Sequence, residues 1–360
     1  MPHFDIIRKA QPSKSFRVAA VMGTFDLDTN QVEEHFVGNI DLPKDWQIGL
    51  IVGNSGTGKT TIAKELFPDA YITTFQYNGE CVLDDMPKGK SIEEITKAFS
   101  NVGFSSVPSW LKPYSVLSNG EKMRVDLARA ILEDNELFVF DEFTSVVDRN
   151  IAKIGSFATQ KAIRKTSKKF IAVSCHFDIE NWLLPDWVFD TNTMTFRLCE
   201  EQKKNRPICK LDVYETKEKE NYWRIFRKYH YLSHTHNNAA RVFVATMNDD
   251  LCAFLSVLPF PHAKKKDFWR AHRIVVLPDF QGLQIGLRLT KFVCNTLAKE
   301  NKHFFLVTSN AAFIASLKRD KDFRCTRIGR VALGNGIIHN SRCKQNSSVS
   351  RITCSFEFVG

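Results

Sequence analysis

The chain has 360 residues, 43% hydrophobic and 25% charged, with a formal net charge of +10. This is the balance of an ordinary soluble globular protein of about two domains, and it excludes a disordered or collagen-like chain. Apolar runs such as "IGLIV" and "IVVL" fall far short of the ~18 residues of a membrane span, "MPHFDIIRKA" lacks the apolar core of a signal peptide, and nine cysteines without a CxxC pair fit reduced thiols in a cytoplasm.

The charge is unevenly spread. Residues 1–199 hold 22 Lys+Arg against 26 Asp+Glu, net −4, whereas residues 200–360 hold 28 against 14, net +14. The change falls at the polar stretch "CEEQKKNRPICK". The expected division is therefore a first domain over 1–198, a linker over 199–206 and a second domain over 207–360, with a polyanionic ligand or partner for the basic half.

In chain order, the first predicted strand is Ile48–Val52, followed at once by "GNSGTGKTT" and a helix over "TTIAKELF". Gly53, Gly58, Lys59 and Thr60 fit the GxxxxGK[ST] phosphate loop, so residues Gly53, Asn54, Ser55, Gly56, Thr57, Gly58, Lys59, Thr60 and Thr61 are expected to hold ATP. Backbone N–H groups of such a loop cradle phosphates, the lysine offsets their charge and the Thr60 hydroxyl binds Mg²⁺. Next, "VLSNGEKMRVDLARAIL" joins a polar turn to an amphipathic helix, with Ser118 and Glu121 spaced as a capping box. The strand "ELFVFDEF" ends in Asp141, placed to hold Mg²⁺ with Thr60, and Glu142, placed to polarise an attacking water. "SVVD" follows, and a third strand, "FIAVSCH", ends in His176, a candidate γ-phosphate sensor.

This order of elements over roughly residues 15–198 resembles the ABC-type ATPases, an α/β P-loop fold. "LSNGE" is similar to that family's LSGGQ signature. The resemblance implies that Ser118 and Gly120 contact the γ-phosphate of a nucleotide held by a second copy, and hence an ATP-dependent head-to-tail homodimer. It also implies an aromatic stacked on adenine, Phe16 or Phe25, and a Q-loop side chain, with Asp84 or Asp85 standing where glutamine is usual. The short segment before the signature speaks against a transporter subunit docked on a membrane partner.

The second half predicts a strand at "ICKLDVYE", a helix at "NYWRIFRKYHYL", and a hairpin from "RVFVATM" through "NDD" to "LCAFLSVL". A strand at "HRIVVLP", a glycine loop opening the helix "QGLQIGLRLTKFVCNTLAKE", a strand at "FFLVTS", a helix at "AAFIASLK" and two late strands near 324–333 and 350–359 complete an α+β layout. Loop glycines before a helix present bare N–H groups to an anion. Candidate acid/base groups are His272, His230, Tyr231 and Asp249. His230, His234 and His236 are close enough in sequence to consider a metal.

"VVLPDFQGLQIG" resembles the pyrophosphate loop of the GNAT acetyltransferases. That implies acetyl-CoA held by Val276, Gln281, Gly282, Leu283, Gln284, Ile285 and Gly286, with Gln284 replacing the family's middle glycine. "SNAAFIASLKRDKDF" is similar to that family's late helix, with Leu317 or Lys318 where its tyrosine acid usually stands. The whole chain resembles stand-alone ABC-type ATPases fused to an acetyltransferase domain. The expected function is an ATP-hydrolysing, CoA-dependent N-acyltransferase acting on nucleic acid; the alternative is an ATP-switched clamp whose GNAT-like module only binds. The basic runs "AKKKDFWRAHR" and "SLKRDKDFRCTRIGR" supply the expected nucleic-acid contacts: Lys264, Lys265, Lys266, Arg270, Arg319, Arg324 and Arg327, with Phe268 or Trp269 stacking on bases.

Overall fold

A computed structural model describes residues 3–9, 13–26, 33–72, 75–199, 210–230, 234–261, 266–330 and 352–360. The chain folds as two compact units, residues 1–75 with 134–207 and residues 76–133 with 208–360.

The first stretch of the chain forms β1 (His3–Lys9), α1 (Phe16–Thr24), β2 (Glu33–Asn39), β3 (Ile48–Val52), α2 (Lys59–Leu66) and β4 (Tyr71–Ile72). The inserted stretch is helical: α3 (Ile92–Asn101), α4 (Val107–Trp110) and α5 (Asn119–Leu132). The chain then returns to the first unit with β5 (Leu137–Phe140), α6 (Arg149–Ile163), β6 (Lys169–Ser174), α7 (Glu180–Leu183), β7 (Trp187–Asp190) and β8 (Thr195–Leu198). The last stretch holds β9 (Asp212–Thr216), α8 (Lys219–Phe226), β10 (Arg241–Met247), β11 (Asp250–Pro259), β12 (Phe268–Val276), α9 (Ile285–Lys299), β13 (His303–Thr308), α10 (Ala311–Arg319), β14 (Phe323–Arg330) and β15 (Ile352–Phe358).

The first unit is built on the sheet β4-β5-β6-β3-β7-β8, parallel except for the β7–β8 pair. All five residues of β3 are buried, which is why the sequence there reads as an unbroken apolar run. The core joins Ile51, Val139, Ile171, Val173, Trp187 and Phe189 beneath Ile62 and Ala63 of α2.

The second unit carries the sheet β14-β15-β13-β12-β11-β10-β9. Its strands pair antiparallel except β12 with β13. The parallel pairing covers only Phe268–Arg270 against His303–Phe305, so the remainder of β12, through Val276, leaves its neighbour. On one side Trp223 and Phe226 of α8 bury themselves on Val242, Val244, Phe254 and Val275. Residues 76–133, which the sequence places with the first half, thus share their unit with the C-terminal region; the linker beyond Cys199 lies outside the described residues.

Candidate functional site

Two constellations emerge, one in each unit. In the first, the register aligns Val52 with Ser174 and Phe140 with Ala172. The loop after β3, Asp141 after β5 and His176 after β6 therefore leave the same edge of the sheet, where ligands of open parallel sheets bind. Gly56 and Gly58 take φ of +86° and +81°, and α2 starts at Lys59. Lys59 is buried and its ammonium donates to the Asn54 carbonyl of its own loop at 2.7 Å. Thr57 Oγ1 also donates to Asn54 O, at 2.9 Å, and the Asn54 N–H donates to Asn192 Oδ1 at 3.0 Å. Ser55 is exposed, and Thr61 continues the first turn of α2.

Thr60 Oγ1 donates to Asp141 Oδ2 at 2.8 Å, so the two residues expected to hold Mg²⁺ are already in contact. A hydroxyl beside a carboxylate is a hard-oxygen pair that suits this ion. The same Oδ2 accepts the hydroxyl of Tyr71, a residue that no motif in the sequence marks. Burial and the neighbouring Asp141 raise the Tyr71 phenol well above its ordinary range, so it stays a donor. Glu142 is exposed at φ +52°, a left-handed conformation that is costly for a side-chain-bearing residue, and its N–H donates to Asp141 Oδ1 at 2.9 Å. The His176 N–H donates to Ser174 Oγ at 3.2 Å. Asp148 of "SVVD" caps α6 by accepting from Asn150 and Ile151, both at 3.0 Å. Phe16 and Phe25 are both largely exposed, at 87% and 69%.

Ser118 and Gly120 belong to the other unit. Ser118 is the N-cap of α5 and accepts from the Glu121 N–H, while Glu121 accepts from the Ser118 N–H: the capping box is real. Gly120 is buried in the first turn. Asp85 Oδ1 accepts from the N–H groups of Asn78 and Gly79, so that carboxylate closes a local turn; Asp84 accepts from Cys81.

The second constellation surrounds the loop from β12 to α9. Gly282 takes φ +88° and Gln284 φ +62°. Gln284 thus adopts the left-handed conformation that favours glycine, which the GNAT resemblance places at this position. It is also the N-cap of α9, and Ile285 is buried behind it while Leu283 and Gly286 are half-buried. The amide of Gln281 is committed within the protein: Nε2 donates to Val276 O at 3.0 Å, and Oε1 accepts from the Ser105 N–H at 2.7 Å. Its side chain therefore shapes the loop rather than reaching out to a ligand.

A β-bulge at Ser256/Val257 leaves His272 as the extra residue of β12. Its Nε2 accepts the Asn237 N–H at 3.3 Å, and burial, then Arg273, push its pKa down to about 3. A neutral imidazole already occupied in this way is a poor proton acceptor. His236, whose ring lies 5.4 Å from that of His272, has both nitrogens buried without a hydrogen-bond partner, and burial lowers its pKa. The sequence offers His236 only as a metal ligand, yet its nitrogens are uncommitted. His230 is buried beside Trp223, and Tyr231 lies outside the described residues. The considered histidine metal site does not form: no group of three or more metal-binding side chains gathers among the described residues. Asp249, at φ +68°, completes the hairpin turn with Asn248. Leu317 is fully buried and Lys318 exposed, so the late helix offers no acid at the place its family pattern suggests.

The expected base-stacking role fails for Phe268, which is buried against His303 and Phe305. Arg241 and Lys302 stand over the Trp269 ring, 5.6 and 4.7 Å from its centre. Arg324 is paired with Glu357 at 3.2 Å, and Lys264 and Lys265 lie outside the described residues.

Residues 195–332 match the family model described as the acetyltransferase (GNAT) family. Residues 195–332 are thus similar to that family. A curated relative, the mRNA export factor elf1 of Schizosaccharomyces pombe, is 29% identical over 147 residues, covering 34% of this chain and 14% of the relative. The chain therefore spans about a seventh of that relative's length. Solved structures with similarity include an acetyltransferase of Bacillus subtilis in complex with CoA, 15% identical with a TM-score of 0.32, covering 42% of this chain and 99% of that one. They also include a dimeric bacterial ABC transporter cassette, 14% identical with a TM-score of 0.33, covering 44% of this chain and 87% of that one. Among the described residues no helix is long and apolar enough to cross a membrane.

Proposed function

We propose that this chain is an acetyl-CoA-dependent N-acyltransferase, governed by an ABC-type ATP site and acting on nucleic acid. The observation that carries the reading is the family match over 195–332 together with the loop it contains, where Gly282 and Gln284 take left-handed conformations before α9. Loop and helix-terminal N–H groups there would receive the pyrophosphate of acetyl-CoA. The parting of β12 from β13 beyond Arg270 would make room for the acyl arm. We assign His236 as the group that takes the acceptor's proton, because a half-buried neutral imidazole whose nitrogens have no hydrogen-bond partner within the protein suits a general base.

In the first unit, Lys59 and the loop N–H groups would hold ATP, Thr60 and Asp141 would hold Mg²⁺, Glu142 would orient the attacking water and His176 would face the γ-phosphate. Mg²⁺, when bound, supplies charge neutralisation between the phosphates. The net charge of +14 beyond residue 199 supports a polyanionic acceptor, and the relative named as an mRNA export factor makes RNA the first choice. A second reading, an ATP-switched clamp that binds but does not transfer, draws on Leu317, buried where an acid would be needed.

Thiol release from acetyl-CoA, measured with the full chain, ATP and an RNA pool, separates the two. RNA-stimulated release of free CoA with acetyl groups on the RNA supports transfer. Salt-sensitive RNA binding without release supports the clamp. No retention of any nucleic acid at low salt would remove nucleic acid as the acceptor.

A further inference from the structure

We propose that Arg124 is a positioning residue of the acyl-CoA loop, and that α5 thereby makes nucleotide and acyl-CoA binding interdependent. The inference rests on the two ligand sites proposed above. Arg124 sits in the middle of α5 and is 1% exposed. Its Nη1 donates to Pro278 O and its Nη2 to Asp279 O, both at 2.7 Å. Two further contacts reach the same loop from the inserted segment. The Ser105 N–H donates to Gln281 Oε1. Gly103, at φ +85°, lies so close that a Cβ built on it would stand 2.6 Å from Gln281 O, so any side chain would displace the loop or the turn.

A buried guanidinium is a costly way to fill space, since an apolar side chain of similar volume usually does as well or better. What the guanidinium supplies is direction. Peptide groups are planar, so fixing the carbonyls of Pro278 and Asp279 fixes the planes of the following peptide bonds at the entrance to the loop. The N-terminal end of α5 carries Ser118 and Gly120, the residues assigned to the γ-phosphate of a second copy. One 14-residue helix therefore touches both ligands' machinery. A nucleotide that shifts α5 shifts the loop, and linkage requires the effect to be reciprocal.

The test is the dissociation constant of CoA for the full chain, measured by calorimetry with and without a saturating non-hydrolysable ATP analogue. Analogue binding is followed separately with a fluorescent ATP derivative. Wild type should show a CoA constant that changes by about fivefold or more when the analogue is present. Arg124→Met should weaken CoA binding and abolish that change while leaving the analogue's own affinity intact, and Arg124→Lys, which keeps the charge, should retain part of it. If Arg124→Met fails to fold, Arg124→Lys carries the comparison. An analogue that binds without altering the CoA constant overturns the proposal alone, as does an Arg124→Met protein indistinguishable from wild type. Failure of the analogue or of CoA to bind at all overturns both the proposal and the site reading on which it stands.

Discussion

At the scale of single residues, Asp141 gathers the most. Thr60 and Tyr71 both donate to its Oδ2, and the Glu142 N–H donates to its Oδ1. If Thr60 and Asp141 hold Mg²⁺ as proposed, Tyr71 would remain to orient the carboxylate. Tyr71→Phe should therefore raise the Mg²⁺ concentration needed for ATP binding, read by titrating Mg²⁺ against a fluorescent ATP analogue; an unchanged midpoint would leave Tyr71 a packing residue. Glu142→Gln should bind ATP normally but turn over about 10²–10⁴-fold more slowly, since a positioned base is lost. Hydrolysis at the wild-type rate would remove Glu142 from the chemistry. His272 carries a stability prediction. Its folded pKa of about 3 lies below the unfolded value near 6.5, so below that pH the unfolded chain binds a proton that the folded chain refuses. Stability should fall as pH drops from about 6.5 toward 3, and His272→Gln should flatten that dependence in urea titrations. An identical pH slope in the variant would contradict the burial argument. The strand, loop and helix through Gly53 to Thr60 and the strand ending before Asp141 are legible in sequence because those patterns are local. The Tyr71–Asp141 hydrogen bond and the packing of His236 beside His272 are not, because they join residues distant in sequence.

At the scale of elements, the strands and helices followed their local signals closely. β3 has the predicted bounds, and Ser118 caps α5 through the Ser118–Glu121 box. β12 was the main misjudgement. It begins at Phe268, so "DFWR", read as an exposed basic stretch, is strand with Phe268 in the core. The interleaving of aromatic and cationic residues there is the alternation of a half-buried strand, which period-two patterning alone does not separate from a nucleic-acid surface. The membership of α3–α5 was likewise invisible, because the bonds that tie this segment to the loop join residues far apart in sequence, as Arg124 does with Pro278. A fragment starting at residue 200 lacks Arg124, Ser105 and Gly103. It should bind CoA at least tenfold more weakly than the full chain, and equal affinity would show that the insert is dispensable.

At the scale of the whole molecule, one unit carries the mostly parallel sheet with the glycine loop after β3, and the other carries α5 and most of the residues that match the acetyltransferase model. Because the signature would complete a nucleotide site on another copy, ATP should drive self-association. Sedimentation of the Glu142→Gln protein with ATP should show a dimer that Ser118→Arg prevents, and a monomer at high concentration would contradict the head-to-tail arrangement. The central claim, however, is that the loop from Gln281 to Gly286 holds the CoA pyrophosphate. It is tested most directly by calorimetric titration of CoA into the full-length wild type and into Gly282→Trp, with circular dichroism confirming that both are folded. The account predicts saturable one-site binding to wild type and its loss in the variant, where an indole at a backbone φ of +88° would block and strain the cradle. Equal affinity in the two proteins, or no binding to wild type, would contradict it.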